Sequence, residues 1–120
     1  MSHPAKAQAL HIFCLCADWC VICREFEPEF ERLAADLTEH NWLALDIEAK
    51  EPFLADIDVQ SFPTLVIFNQ DKRCCFAGVI EPRIDTLLRL VKSAQAGDLR
   101  FSESLSRPWQ ILLNASNANS

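Results

Sequence analysis

The chain has 120 residues, enough for one domain, and its hydrophobic content of 50% provides the side chains for one core. Charged residues make up 23%, so the composition is not that of a disordered protein. The net charge of -6, with no basic stripe, argues against binding to nucleic acid, and no apolar run approaches the roughly 20 residues that span a bilayer.

The N-terminal sequence does not have the organisation of a secretory signal, because its apolar stretch runs directly into a cysteine-rich segment. We therefore expect a cytoplasmic protein. In a reducing compartment, a set of six cysteines is more often catalytic or metal-binding than a framework of structural disulfides. The six residues are Cys14, Cys16, Cys20, Cys23, Cys74 and Cys75.

The first predicted elements are a strand and a helix. Residues 10–16 are nearly all apolar and include β-favouring side chains, a pattern typical of a strand that is covered on both faces. From Cys20 to Leu37 the apolar residues recur at helical spacing, so the sequence predicts an amphipathic helix. Pro28 lies inside this helix and is expected to kink it, because proline removes a backbone donor and crowds the preceding turn.

The chain continues this alternation as far as Gly97. The predicted elements are a strand at 42–47, a short helix at 51–57, strands at 63–68 and 73–79, and a helix from Pro82 to Gly97. Gly78 is expected to mark a β-bulge or a close approach of two backbones. The first two strands are joined by a helix and should be parallel, whereas the last two form a hairpin. The order β-α-β-α-β-β-α predicts an α/β fold.

The predicted elements place a domain at residues 1–97, with its core at 10–96, and leave residues 98–120 as a C-terminal extension. The end of the extension is low in complexity and is expected to be flexible. Its segment 99–113 contains an apolar run from Trp109 to Leu113, which the pattern of the core does not explain. This run can pack back on the domain, form a dimer contact or bind another partner, because an apolar patch favours burial without naming its cover.

Cys20 and Cys23 stand where the first predicted strand gives way to the start of a helix. The unpaired N–H groups at a helix N-terminus favour negative charge, so they stabilise a thiolate at Cys20. The spacing places Cys23 one helical turn along the chain, where its thiol can resolve a mixed disulfide formed at Cys20. Thiol–disulfide exchange needs this pair of an attacking and a resolving thiol.

Four features of the sequence between about residues 10 and 96 resemble the thioredoxin family. They are the segment Ala17–Arg24 around the two cysteines, Pro28 in the following helix, the run from Phe62 through Pro63 and Thr64 to Leu65, and Gly78 before the last helix. The resemblance implies a thioredoxin-like fold, with a central mixed four-stranded sheet flanked by helices. It also implies a thiol–disulfide oxidoreductase that acts on protein disulfides as a reductase, without a metal or an organic cofactor. An electron donor such as a thioredoxin reductase would reset it.

In the family pattern, Cys20 is the nucleophile and Cys23 is the resolving thiol. The resemblance further implies that Trp19 packs beside the two thiols and that the Phe62–Pro63 peptide bond is cis. The backbone before this proline would pair with an extended segment of the substrate. The residues expected to support the site and contact substrate are Trp19, Val21, Ile22, Phe62, Pro63 and Thr64.

The chain departs from the family pattern around these cysteines. Val21 and Ile22 replace the usual Gly-Pro and make the rim bulkier and more apolar. Cys14 stands where the family has a buried aspartate, and Ala44 stands where it has the partner lysine. Because that aspartate helps to move the proton of the resolving cysteine, we expect water or another carboxylate, such as Glu48, to take this role.

Two other functions remain open from the sequence. The fold can serve as a binding, chaperone or adaptor module with weak redox activity, or the chain can be a metal or cluster protein. The four sulfur ligands of such a centre would be Cys14, Cys16, Cys20 and Cys23. Otherwise Cys14 and Cys16, which share one strand face, are small buried side chains or accessory thiols near the site. Cys74 and Cys75 point to opposite faces of a strand and are expected to have an ordinary structural role.

Overall fold

The computed structural model describes residues 9–17, 20–46, 63–97, 99, 109–110 and 112–113. In these ranges the elements are β1 (His11–Cys16), α1 (Val21–Asp36), β2 (Asn41–Asp46), β3 (Thr64–Phe68), β4 (Cys74–Val79) and α2 (Ile84–Gln95). Each of them corresponds to an element predicted from the sequence, and the predicted short helix at 51–57 lies outside the described residues. Neither α1 nor α2 has the length and the apolar run that crossing a membrane requires.

The strands form one mixed sheet of four in the order β2-β1-β3-β4. β1 pairs with β2 in parallel, as expected for two strands joined by a helix, and with β3 in antiparallel orientation. β3 and β4 form the predicted antiparallel hairpin. β1 is therefore an interior strand, and the burial of its residues on both faces explains the continuous apolar run in the sequence.

The pairing between β3 and β4 is irregular at Cys75. The register passes from the pair that Cys74 makes to the pair that Phe76 makes, so Cys75 is the extra residue of a bulge. The sequence predicted a bulge or close backbone approach at Gly78, and this prediction is wrong. Gly78 keeps a regular partner, and a Cβ added there would come no closer than 3.6 Å to the Phe76 ring. A bulge needs glycine only where its residue has a positive φ. Cys75 has no positive φ, so a residue with a side chain can occupy this bulge.

α1 and α2 cover one face of the sheet. Their apolar stripes meet the inward-facing residues of β1 and β3 in one core cluster. Its central members are Leu10, Ile12, Cys14, Phe26, Phe30, Leu33, Leu65, Ile67, Leu87 and Val91. Burial of each large side chain here contributes roughly 1.5–3 kcal/mol to folding, so this cluster holds the helices on the sheet.

The opposite face of the sheet has a second cluster, formed by Phe13, Leu15, Val66, Phe68 and Cys74. Leu112 and Leu113 of the C-terminal extension are buried in it, and Trp109 packs against it. The Gln110 side chain donates to the Lys72 carbonyl at 3.4 Å, which ties the extension to the β3–β4 turn. Of the three alternatives for the apolar run, packing back on the domain is therefore confirmed for its described residues. The domain boundary at residue 97 stays a prediction.

The two ends of α2 have ordinary capping geometry. Arg83 is extended, with φ -129° and ψ 139°, so the helix begins at Ile84 and not at Pro82 as predicted. Gly97 follows the last turn with a φ of 79°, and its N–H donates to the Ala94 carbonyl. A glycine in this left-handed position confirms the predicted end of the helix.

His40 lies at the end of the sheet that is opposite to the cysteines of the motif. Its side chain is buried, and its Nδ1 accepts the Leu10 N–H at 3.0 Å. The imidazole packs edge-on against the Trp42 ring, with centroids 6.1 Å apart. Burial lowers the pKa of His40, because a charged imidazolium would lose its solvation and its acceptor nitrogen.

Candidate active site

The two cysteines of the redox motif flank the first turn of α1. Cys20 is the N-cap residue: its backbone is extended, with φ -84° and ψ 109°, and its Sγ accepts the Cys23 N–H at 3.3 Å. Its carbonyl accepts the Arg24 N–H at 3.1 Å and so begins the helix. The sulfur of Cys20 therefore takes the position that a capping oxygen normally occupies.

The N-terminus of α1 favours a negative charge on Cys20. The free N–H groups of the first turn point toward the cap, and the first turn contains no acidic residue to oppose them. A thiolate is also a stronger acceptor than a thiol, so the hydrogen bond from the Cys23 N–H strengthens when Cys20 ionises. Of the two motif cysteines, Cys20 is thus the better placed to attack a disulfide.

Cys23 lies one turn along the helix and is 2% exposed. Burial, followed by its hydrogen bonds to the Cys16 and Cys20 thiols, raises the pKa of Cys23. At neutral pH it is therefore a protonated thiol. The unlike surroundings of Cys20 and Cys23 suit a nucleophile and a resolving thiol, respectively.

Cys20 is covered more than the sequence led us to expect for the exposed start of a helix. It is 9% exposed, whereas Val21 and Ile22, which follow it, are 62% and 48% exposed. The reason is the cap geometry, which turns the Cys20 sulfur back against the helix. The Cys20 side chain packs with Ala17 and Cys23. The backbone N–H of Cys20 donates to the Ala17 carbonyl at 3.0 Å. The predicted apolar rim of Val21 and Ile22 lies at the surface.

Two further thiols lie next to the motif. Cys14 and Cys16 share one side of β1, as predicted, and their Sγ atoms are 3.8 Å apart. Cys16 also packs against the group formed by Ala17, Cys20 and Cys23. The hydrogen bond with Cys14, followed by burial, raises the pKa of Cys16. The thiols of Cys14 and Cys16 therefore extend the group of cysteines from the cap of α1 along the end of β1.

The other two cysteines lie farther along the sheet. Cys74 packs in the cluster that the C-terminal extension covers, and Cys75 packs in the core under the helices, so they face opposite sides as predicted. Burial raises the pKa of Cys74 to about 11 and raises that of Cys75 as well. Among the residues that the structure describes, no three His, Cys, Asp or Glu side chains are arranged to hold a metal ion.

Pro63 and Thr64 lie at the same end of the sheet as the cysteines. Thr64 begins β3 and pairs with Leu15, near the end of β1. Both Pro63 and Thr64 are buried, and the Pro63 carbonyl accepts the Ile80 N–H at 3.2 Å. This bond fixes the start of β3 to the end of β4, beside the connection that leads from β1 to Cys20.

Three residues that the sequence assigns to the site lie outside the described residues. They are Trp19, Phe62 and Glu48. The packing of Trp19, the cis geometry of the Phe62–Pro63 bond and the proton-transfer role of Glu48 therefore stay predictions.

A cavity of about 170 Å³ opens beside the half-buried Cys16 and the buried Cys23. Ala44 lines it, so the small side chain at this position leaves open the space that a lysine would fill. The side chains of Glu27 and Asp46 also line the cavity. Neither carboxylate was among the site residues predicted from the sequence. Glu27 could have been found from its spacing of four residues after Cys23, whereas Asp46 is placed only by the register that pairs it with Cys16.

Comparisons with known proteins identify the family to which the fold belongs. The thioredoxin family model matches residues 3–92. Thioredoxin of Chlamydia muridarum is 33% identical over 79 residues, which cover 66% of this chain and 76% of the relative.

Solved structures show the same fold. Thioredoxin f2 of Chlamydomonas reinhardtii superposes with a TM-score of 0.64 at 18% identity, over 76% of this chain and 83% of that one. A thioredoxin f2 in complex with ferredoxin:thioredoxin reductase gives a TM-score of 0.63 at 17% identity, over 73% of this chain and 79% of that one. Since the family model spans most of the chain and the sheet and helices are those of its members, this chain belongs to the thioredoxin family of thiol–disulfide oxidoreductases.

Proposed function

We propose that the chain is a protein-disulfide reductase whose redox pair is Cys20 and Cys23. The observation that carries the proposal is the position of Cys20 at the N-cap of α1, in hydrogen-bond contact with Cys23 one turn along. Membership of the thioredoxin family supports thiol–disulfide chemistry in general.

The reaction consists of two exchanges. The Cys20 thiolate attacks one sulfur of a substrate disulfide, forms a mixed disulfide and releases the other substrate sulfur as a thiolate. Cys23 then loses its proton and attacks the Cys20 sulfur. This step forms the Cys20–Cys23 disulfide and releases the second substrate sulfur, so the substrate gains the two electrons that the pair loses.

Deprotonation of Cys23 is the step that needs help, because burial raises its pKa. The family's buried aspartate is replaced by Cys14, so the proton needs another acceptor. We assign this role to Glu27 and Asp46, which line the cavity that reaches the Cys23 side chain. The residue named from the sequence, Glu48, is a further candidate.

The substrate is expected to present apolar residues beside its disulfide. Val21 and Ile22 expose large side chains next to Cys20 and would lose unfavourable contact with water when a substrate covers them. The backbone before Pro63 is the proposed partner for an extended substrate segment. A flexible, partly apolar protein segment fits this surface better than a small charged disulfide.

An electron donor must return the Cys20–Cys23 disulfide to the dithiol. We propose a thioredoxin reductase for this role, since a thioredoxin of the same fold has been solved in complex with ferredoxin:thioredoxin reductase. We propose the cytoplasm as the location, because a set of six cysteines in a reducing compartment is more often catalytic than a framework of structural disulfides. A dimer through residues 99–113 is not part of the proposal, because Leu112 and Leu113 are buried against the chain's own sheet.

Insulin reduction tests the proposal. With dithiothreitol as donor, the wild-type chain should accelerate the precipitation of reduced insulin, and Cys20→Ser should bring the rate to that of dithiothreitol alone. Cys75→Ser removes a buried thiol outside the site and should retain the wild-type rate once it is shown to be folded. A wild-type rate no higher than that of Cys20→Ser would overturn the reductase assignment.

The second candidate is a binding or adaptor module with weak redox activity. The low exposure of Cys20, 9%, favours it, because a covered sulfur reacts slowly. In the same assay this function predicts suppression of insulin aggregation by wild type and Cys20→Ser alike, without faster disulfide cleavage.

A further inference from the structure

The thiols next to the motif extend the redox site into the sheet. Cys16 packs against the group formed by Ala17, Cys20 and Cys23, and both Cys16 and Cys23 line the cavity of about 170 Å³. Cys23 therefore belongs to a group with two other cysteines, Cys20 at the helix cap and Cys16 at the end of β1. The proposed reduction cycle uses only the first of them.

We propose that Cys16 is a second partner for Cys23, and that the Cys20–Cys23 disulfide passes on to a Cys16–Cys23 disulfide. This inference rests on the proposed function, which supplies the oxidised Cys20–Cys23 pair.

The transfer is one internal exchange. The Cys16 sulfur loses its proton to solvent in the cavity and attacks the Cys23 sulfur. The Cys16–Cys23 bond forms, the Cys20–Cys23 bond breaks, and Cys20 leaves as a thiolate that is stabilised at the N-terminus of α1. The chain holds one disulfide before and after the exchange, so the step needs no further oxidant or reductant.

The surroundings of Cys16 make this exchange slow. The hydrogen bond with Cys14, followed by burial, raises the pKa of Cys16, so few molecules hold the attacking thiolate at neutral pH. A prompt electron donor would therefore reach the Cys20–Cys23 disulfide first. The transfer takes place when the oxidised chain waits, and it regenerates a free Cys20 whose resolving thiol is blocked. In that form Cys20 would hold a substrate as a lasting mixed disulfide.

A further transfer from Cys16 to Cys14 is not part of the proposal. Two residues of an extended strand span about 6.7 Å between Cα atoms, which is at the upper limit for a disulfide. Bridging Cys14 and Cys16 would distort β1, which is paired on both sides.

The position of Asp18 in the sequence allows the two disulfides to be distinguished. The reduced full-length chain is oxidised with insulin and separated from it. After increasing times, samples are alkylated with iodoacetamide and digested with Asp-N protease. Cleavage before Asp18 puts Cys14 and Cys16 on one peptide, and Cys20 and Cys23 on the next. A Cys20–Cys23 disulfide stays within one peptide, whereas a Cys16–Cys23 disulfide links the two.

The early samples should contain the disulfide within one peptide, and the later ones should lose it in favour of a linked pair that carries alkyl groups on Cys14 and Cys20. Cys16→Ala should abolish the linked pair. Cys14→Ala, which changes the neighbouring thiol on the same strand face, and Cys75→Ala, which changes a distant buried thiol, should retain it.

Persistence of the Cys20–Cys23 disulfide without a linked pair would overturn this inference and leave the proposed function intact. A linked pair with its alkyl group on Cys16 would overturn it as well, because Cys14 would then be the partner. Failure of insulin to oxidise Cys20 at all would overturn both proposals.

Discussion

Cys14 and Ala44 stand where the family has a buried acid and its lysine partner, and Ala44 lines the cavity beside Cys23. Cys14 pairs with Ala44 across β1 and β2, and neither side chain supplies a carboxylate or an ammonium group. The cavity next to Cys23 is large enough for several water molecules, since each occupies about 30 Å³ in the liquid. We therefore expect the Cys23 proton to leave through solvent toward the carboxylates at the cavity wall.

The double substitution Glu27→Gln and Asp46→Asn should slow the second exchange, because no carboxylate would then accept the Cys23 proton. We expect substrate release to become about tenfold slower, which is less than a general base usually contributes. A single-turnover measurement of substrate release from the mixed disulfide would detect this. Alkylation of Cys20 should keep its wild-type rate, and Glu31→Gln, an exposed change on the same helix, should have no effect. Equal release rates in the double variant and the wild type would contradict the assignment.

His40 should make the stability of the fold sensitive to mild acid. Its pKa is lowered in the folded state, so the unfolded chain binds more protons as the pH falls below about 6.5. The free energy of unfolding should therefore fall with pH in this window. Protonation would also remove the acceptor for the Leu10 N–H.

Urea denaturation at several pH values would measure this dependence. His40→Asn retains an acceptor atom near the position of Nδ1 but does not titrate, so its stability should vary less with pH. His11, whose pKa is also lowered by burial and then by Lys72, remains as a shared background in both proteins. Parallel pH profiles for wild type and His40→Asn would show that His40 does not carry the effect.

α1 combines a structural and a chemical role along its length. Its inward stripe of Phe26, Phe30 and Leu33 packs in the core, which fixes the helix on the sheet. Its N-terminus carries Cys20 as a cap and exposes the apolar rim. Because the same residue caps the helix and serves as the proposed nucleophile, changes at Cys20 act on stability as well as on reactivity.

The effect of the cap can be separated from the effect of the thiol. A serine hydroxyl accepts a hydrogen bond from the Cys23 N–H at least as well as a thiol, whereas alanine accepts none. Cys20→Ala should therefore be less stable than Cys20→Ser by about 1 kcal/mol in urea unfolding. Equal stabilities would mean that the sulfur does not act as a cap. The comparison also supports the choice of Cys20→Ser as the inactive control.

At the scale of the whole molecule, both described helices pack on one face of the sheet, and the C-terminal extension covers part of the other. Leu112 is fully buried there among side chains from β1 and β3. Leu112 and Leu113 of the extension are thus part of the folded core. Removal of the extension would expose Phe13, Val66 and Phe68 to solvent.

Leu112→Ala should lower the free energy of unfolding by about 3 kcal/mol, the usual cost of deleting a buried leucine side chain. Gln110→Ala, at an exposed neighbouring position, should change it by less than about 1 kcal/mol. Both variants should reduce insulin at the wild-type rate where they are folded, because the extension packs on the face away from Cys14 and the helices. If Leu112→Ala lowered the free energy of unfolding by less than Gln110→Ala does, Leu112 would lie outside the stabilising core.

The helices were predictable from the helical spacing of their apolar residues, and the interior strands β1 and β3 from continuous apolar runs that are buried on both faces. The thiol pair was predictable because Cys20 and Cys23 depend only on local helix geometry. Features that depend on strand register were not predictable. The position of Asp46 and the bulge at Cys75 are therefore known only from the pairing of the strands in the structure. The apolar run from Trp109 to Leu113 could be recognised in the sequence, but its position could not be predicted, since hydrophobicity does not specify which surface covers it.

The interior position of β1 has a consequence for the motions of this protein. Because β1 is hydrogen-bonded on both sides, its amide protons should exchange with deuterated solvent more slowly than those of the outer strands. This slowly opening strand leads within four residues from Cys16 to Cys20. Transient opening of β4, the outer strand without a proposed catalytic residue, would therefore leave the proposed nucleophile anchored.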